Sequence, residues 1–474
     1  MKKIILLLIV GFTTLMGIEF TMTESGLYPN VETQPTPSTP VADGWVETPL
    51  PSSYFNVLDY GLKGDGSTDD TAALEAIFND HPEVTNLYFP AGYTFRLHKV
   101  QIHSRIEALF GGGTIKFHDE GNSNSGTSLW GFGFHTVPDN LIIDGLHFKL
   151  ESGYTTAQNY GMITFWDNGG IADGIEIRNC TSDGSNGALN FLKVFPRVAD
   201  GRSFPNMKVY NNTSSNCRGY FDFEYINVGQ GREDGMPNFK MFNNRILNGS
   251  GHGAISYIRM TSYGAEIYNN YIDESGMAIE ILSENVKVHH NKLLNIRGQA
   301  LSLGTWTSQY GNVTGTETEI YNNHIEVKST GYVFSYTGHN ADIHDNYING
   351  VAIFRLDVAG SQLILPNFYN NTVVNTIGSP AVSISNNIGG GNVVGGACYN
   401  NTVYTKSGST GISVYSVDSS TNTSDNSIFI MNGTGTCINT VGTNVNNTCT
   451  QNYTGSVPTA KSGAGLSDPN NIGA

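Results

Sequence analysis

Charge is scarce in this 474-residue chain: only 14% of it is Asp, Glu, Lys or Arg, and 41 acidic residues against 25 basic ones give a formal net charge of -16. A nucleic-acid binder needs a basic face, so that class is excluded. An anionic sugar polymer is not, because a local Arg/Lys cluster or a bound calcium ion can offset the field. Cysteine is sparse as well. Five residues, at 180, 217, 398, 437 and 449, are too few and too spread for a disulfide framework, and no Cys/His spacing suggests zinc. Cys180 with Cys217 follow what read as equivalent corners and could stack or pair; Cys437 with Cys449 is the other pair. No metal or cofactor is called for, calcium being the one ion the composition permits. Long apolar runs are missing beyond the N-terminus, so no span is expected in the mature chain. Helical periodicity is missing from the middle of the chain.

The N-terminus reads Met1-Lys2-Lys3 followed by an apolar run from Ile4 to Gly17. This has the form of a secretory signal, with an uncleaved anchor as the alternative because no small-x-small site follows. Residues 1–18 are therefore set aside as signal or anchor. Residues 19–53, with Gln34-Pro35-Thr36-Pro37-Ser38-Thr39-Pro40, read as a Pro/Thr-rich linker. The expected location is secreted, periplasmic or cell-surface.

What the chain has is glycine (56), tyrosine (24), phenylalanine (23) and paired asparagine. From residue 173 to 401 one pattern recurs: an apolar residue, an aromatic or His, then Asn-Asn or a near equivalent. Examples are Val209-Tyr210-Asn211-Asn212, Ile267-Tyr268-Asn269-Asn270, Ile343-His344-Asp345-Asn346 and Cys398-Tyr399-Asn400-Asn401. The copies lie between 21 and 32 residues apart. A supersecondary unit recurring at that period means a solenoid or propeller. Short apolar runs and Gly-rich turns between copies point to a right-handed parallel β-helix over 54–405, with the Asn amides stacked from coil to coil as scaffold rather than ligands. After Tyr404 the pattern thins, so 406–474 reads as last thin coils, with strands at Ile412–Tyr415 and Ile428–Ile430, and a loosely ordered tail.

The folded part opens with a strand and glycine turn, Phe55 to Thr71. There Thr68, Asp69 or Asp70 caps a short amphipathic helix over 72–78 that covers the open end of the solenoid. The first coil then begins at Leu87. The run Phe55–Thr71, followed by Tyr88-Phe89-Pro90-Ala91-Gly92, resembles the start of the pectate-lyase-like β-helix superfamily. That group holds glycoside hydrolases, polysaccharide lyases, uronate epimerases and phage tailspikes. The resemblance implies an all-β solenoid with an N-terminal cap, which makes Asp65, Asp69 and Asp70 turn and capping residues.

Chemistry is expected where outward polar residues of successive coils line up on one sheet, forming a groove for a linear polymer. Tyr220-Phe221-Asp222-Phe223-Glu224-Tyr225 sets two acids between aromatics. With the aromatics inward, Asp222 and Glu224 face out about 6.5–7 Å apart at Cα, in the range of inverting glycosidase acids. Repulsion between them should raise one pKa and keep that carboxyl available as an acid. The next coils add His252, Tyr257 and Arg259, then Glu280. Lys193 and Arg197 on the preceding coil, with Arg297 and Trp306 beyond, are candidate substrate contacts. Gly251-His252-Gly253 after an acidic strand resembles polygalacturonase-type glycosidases, and Thr181-Ser182-Asp183-Gly184 loosely resembles their third acid motif. That resemblance implies roles for Asp222, Glu224 and His252. The acids are not adjacent here, however, and no Arg-Ile-Lys follows.

The expected function is cleavage of a polysaccharide by hydrolysis. In the alternative, β-elimination on a uronate polymer, Tyr257 or His252 takes the C5 proton and Arg259 neutralises the carboxylate. A non-catalytic adhesin or tailspike-like binder is the second class. Monomer and trimer remain open.

Overall fold

A computed structural model describes residues 20–23, 26–29 and most of 48–456. Outside the described residues lie 1–19, 24–25, 30–47, 119–130, 152–160, 167–169, 185–188, 195–202, 224–235, 250–254, 258–260, 282–283, 305–314, 329–331, 338, 357–362, 365, 376–379, 387–392, 395, 416–421, 441–443 and 457–474. The signal and tail segments fall there. Residues 1–48 with 461–464 form a separate unit. Within it, Phe20–Thr23 pairs antiparallel with Gly26–Pro29, in a stretch read from sequence as linker.

The main unit is a right-handed parallel β-helix. Two fifteen-stranded parallel sheets run its length, and a nine-stranded sheet followed by a four-stranded one completes the coil. The chain visits them in fixed order. Lys208–Tyr210 belongs to the first long sheet, Thr213–Ser215 to the second and Phe221–Phe223 to the nine-stranded sheet; Lys240–Phe242 then starts the next coil. Alternation divides each strand. On the first long sheet, Ile177, Val209, Met241, Ile267, Val288, Ile320, Ile343 and Phe368 register in one inward column and are almost wholly buried. Each such side chain contributes about 1.5–3 kcal/mol by leaving water.

The Asn pairs resolve into two different roles. The first member turns the chain: Asn211, Asn243, Asn269, His290, Asn322, Asp345, Asn370 and Asn400 all have φ of 53–55°, the left-handed region that Asn and Asp enter more readily than most residues. The second member points inward and forms the ladder. Asn244 Nδ2 donates to Asn270 Oδ1 at 2.9 Å, Asn270 to Asn291 at 3.0 Å, and Asn291 to Asn323 at 3.0 Å. The ladder continues through Asn401 to Asn426 and Asn447, and coils continue with it to Tyr453. Cys180 holds the equivalent position one coil earlier, its amide donating to Asn212 Oδ1.

Cys180 and Cys217 do not pair. Both are free and buried, and they follow different corners: Cys180 lies between the two long sheets, Cys217 after the second of them. Cys437 and Cys449 form a disulfide. Cys449 registers beside Ile428, so the bridge lies in the last coil.

At the N-terminal end the helix spans Thr71–Asp80 and buries Leu74, Ile77 and Phe78. Asp70 is its N-cap but makes no side-chain cap bond. Its carboxylate instead accepts the amides of Lys63 (2.6 Å) and Gly64 (3.1 Å), closing the glycine turn. The solenoid starts earlier than Leu87, because Phe55–Asn56 already pairs with Leu87–Tyr88.

Candidate active site

Two residues separate Tyr210 from Thr213 at the Asn corner, whereas thirteen separate Val194 from Lys208 and sixteen separate Phe223 from Lys240. Long connections therefore follow the nine-stranded sheet on these two coils, while only two residues separate Ile281 from Glu284. Loops carried by a rigid scaffold are where function concentrates.

Register fixes which residues of that sheet share a face. Its centre is one column: Gln101, Gly133, Thr164, Lys193, Asp222, Ser256, Glu280, Ser302 and Ser335. The columns on either side are apolar, for example Leu192–Phe221–Ile255–Ile279. Leu192, Phe221 and Ile279 are fully buried, so the central column has the outward parity. Successive members sit about 4.8 Å apart. Three of the sequence candidates thus come together: Lys193 and Asp222 on adjacent strands, and Glu280 two strands beyond Asp222. Lys193 is fully buried and Glu280 half-buried.

Other candidates fall elsewhere. Tyr257 registers with Phe223 and Ile281, in a column beside the polar one, so it does not join Lys193, Asp222 and Glu280. Arg297 lies at a corner before the nine-stranded sheet. Its Nη2 donates to the Gly249 carbonyl at 2.8 Å, which ties it to the backbone just before the Gly251-His252-Gly253 stretch. Asp183 is on the second long sheet and accepts from Asn216 Nδ2 at 3.2 Å, so the Thr181–Asp183 motif stays off the column. Glu224, His252, Arg259, Arg197 and Trp306 lie outside the described residues. Among the described residues no group of three His, Cys, Asp or Glu could hold a metal ion.

Sequence reading missed the small polar residues that register in the column, Thr164, Ser256, Ser302 and Ser335. The available signal was their two-residue alternation with apolar neighbours. It also missed an ionic cluster on the first long sheet. Arg178 donates to Asp144 at 2.7 Å and to Glu176 at 2.6 Å, and Tyr210 donates to Glu176 at 3.0 Å. Burial pushes the Tyr210 phenol well above its ordinary range. All four are buried and satisfy one another, which makes the cluster a support of the scaffold rather than a reactive site.

A family profile described as rhamnogalacturonase A/epimerase, pectate lyase-like, matches residues 54–300, just over half the chain. The chain belongs to this pectate lyase-like family. The match spans the cap and the coils that carry Lys193, Asp222 and Glu280. Solved structures agree on the fold of this family member. The A-module of Azotobacter vinelandii mannuronan C-5 epimerase AlgE4 is 14% identical, with 83% of this chain and 99% of that one covered and a TM-score of 0.53. The AlgE6 A-module is also 14% identical, with 84% and 99% covered and a TM-score of 0.51. PfbA, a surface adhesin of Streptococcus pneumoniae, is 16% identical, with 81% and 91% covered and a TM-score of 0.47. At these identities the likeness to the two A-modules shows the fold alone. No curated protein matches the chain. No helix among the described residues is long and apolar enough to cross a membrane.

Proposed function

We propose that this pectate lyase-like protein is an extracellular polysaccharide-cleaving enzyme that hydrolyses glycosidic bonds along its nine-stranded sheet. The observation that supports it is the register of Lys193, Asp222 and Glu280 in one polar column between apolar ones, with long connections after the Lys193 and Asp222 strands. A cation and two carboxylates within three strand spacings give the charge pattern that glycoside hydrolysis needs. One carboxyl protonates the leaving oxygen and a second carboxylate activates water, with the buried Lys193 ammonium as the neighbouring positive charge. Asp222 takes one carboxyl role. Its partner is Glu280, two strands on, with Glu224, two residues along the chain, as the alternative. Asp222 and Glu280 are two strand spacings apart, about 9.6 Å at Cα, close to the separation of inverting acids.

Elimination needs a base on the same face. Tyr257, one of the two bases that mechanism asks for, registers in the column of Phe223 and Ile281, and this weighs against that route. Incubating the protein with a panel of neutral and acidic polysaccharides tests the proposal. Reducing ends without ultraviolet-absorbing products are expected. Ultraviolet-absorbing unsaturated ends would make it a lyase, and no new ends on any polymer would make it a binding protein.

A further inference from the structure

A second ordered surface lies on the outer face of the first long sheet. Eight rings, from Tyr210 to Tyr399, occupy one register column there and stack with centroids 4.8–5.3 Å apart and planes within 12°. Ring faces are occupied by neighbouring rings, so the column presents edges outward. The first two rungs, Tyr210 and Phe242, are covered. The six that follow, Tyr268, His289, Tyr321, His344, Tyr369 and Tyr399, are half-buried. Every one of these six carries a polar tip, and the covered Phe242 carries none. Stacking alone would be served equally by Phe.

Three of these tips are available, whereas His289 Nδ1 lies 2.8 Å from His290 Nδ1 and His344 Nδ1 lies 2.7 Å from Asp345 Oδ2. The hydroxyls of Tyr321, Tyr369 and Tyr399 have no hydrogen-bond partner among the described residues. Alongside runs the column of left-handed corner residues, in which the half-buried amides of Asn243, Asn269 and Asn322 also have none. On the other flank the lysines are paired across strands, Lys240 with Glu266 at 3.4 Å and Lys287 with Glu319 at 3.1 Å. Those charges cancel locally. Burial holds the His289 imidazole down to about 4, so near neutral pH it is an uncharged donor and acceptor.

We propose that this strip is a second carbohydrate-binding surface, which takes an extended, uncharged β-1,4-linked polysaccharide along the solenoid axis with one sugar per coil. The period is the first reason. Each pyranose in such a chain advances by close to one strand spacing, about 4.8 Å, so each rung meets one sugar, with alternate sugars presenting the same edge. The chemistry is the second. Sugar hydroxyls need donors and acceptors together, and tyrosine hydroxyls, neutral imidazole and Asn amides supply both. The charge is the third, because paired lysines on a protein of net charge -16 offer no free cation to a polyanion. The surface is separate from the nine-stranded sheet and does not depend on the reading of that sheet as catalytic.

Affinity electrophoresis of the full chain tests this, with gels containing hydroxyethyl cellulose, soluble glucomannan or polygalacturonate. The wild type and Asp222→Asn are expected to be retarded equally by at least one of the two neutral polymers. The triple variant Tyr321→Phe/Tyr369→Phe/Tyr399→Phe keeps the rings and removes only the hydroxyls. It should keep its melting temperature and lose on the order of tenfold or more in affinity, from three lost hydrogen bonds. Equal retardation of wild type and triple variant overturns the proposal. So does retardation by polygalacturonate alone, or by none of the three.

Discussion

Adjacent Asn269 and Asn270 are chemically identical, yet the fold asks opposite things of them. Asn269 is at φ 53°, and its side chain makes no bond among the described residues. Asn270 is 1% exposed and fully engaged. Its Nδ2 donates to the Met241 carbonyl and to Asn291 Oδ1, while its Oδ1 accepts both the backbone amide and the Nδ2 of Asn244. Asn270→Leu keeps the volume and strips partners from the Met241 carbonyl and two N–H groups of Asn244. Each stranded buried group costs about 1–3 kcal/mol. Burying the leucine returns roughly 1.5–3 kcal/mol. The net expectation is a loss of about 4 kcal/mol, read as a lower urea midpoint and faster amide exchange around residues 240–295. Asn269→Gly relieves the left-handed backbone and adds freedom to the unfolded chain, two effects of similar size. It should stay within about 0.5 kcal/mol of wild type. A ladder variant with unchanged midpoint, or a corner variant worse than the ladder variant, would refute the reasoning.

Further outcomes follow from other parts of the coil. Reducing Cys437–Cys449, which closes a 12-residue separation, should cost the last coils about 3 kcal/mol; mass-resolved hydrogen exchange should show residues 427–453 opening while residues 141–300 keep their protection. His289 has its folded pKa pushed down to about 4 by burial and by the neighbouring His290. The unfolded chain therefore binds the extra proton first, and stability is full above about pH 6.5 and falls as pH drops toward 4. The loss is at most about 3 kcal/mol, less the screening that a half-buried ring receives. His289→Tyr, which fits the rung, should show a smaller drop between pH 7 and pH 4 in parallel denaturation curves, and an identical drop would remove His289 as the cause.

The solenoid was legible because its corners repeat in sequence: an aromatic or His before two Asn residues marks a turn, and apolar alternation marks the strands on each side. The last coils were harder to read because Ser424-Asp425-Asn426 and Val445-Asn446-Asn447 keep the turn and the ladder but drop the ring that advertised them. Cys180 hid a corner in the same way, being a ladder residue without an amide. For the candidate site, two-residue alternation set Asp222 apart from Phe221, but it could not fix register between strands joined by long loops. Tyr257 was therefore grouped with Lys193 and Glu280, while Ser256, its neighbour, is the residue in their column. Asp70 shows the limit of local motifs: it stands at the helix cap, yet its carboxylate serves a turn six residues earlier.

The central claim is that the polar column of the nine-stranded sheet does the chemistry. It is tested most directly by comparing wild type, Asp222→Asn and Glu280→Gln on whichever polymer the panel identifies, counting new reducing ends per folded molecule with circular dichroism as the control. The account predicts unchanged spectra and a rate lower by on the order of 10²–10⁴ in Asp222→Asn, with a smaller or equal loss in Glu280→Gln. Full activity in both variants, with the fold intact, would contradict it.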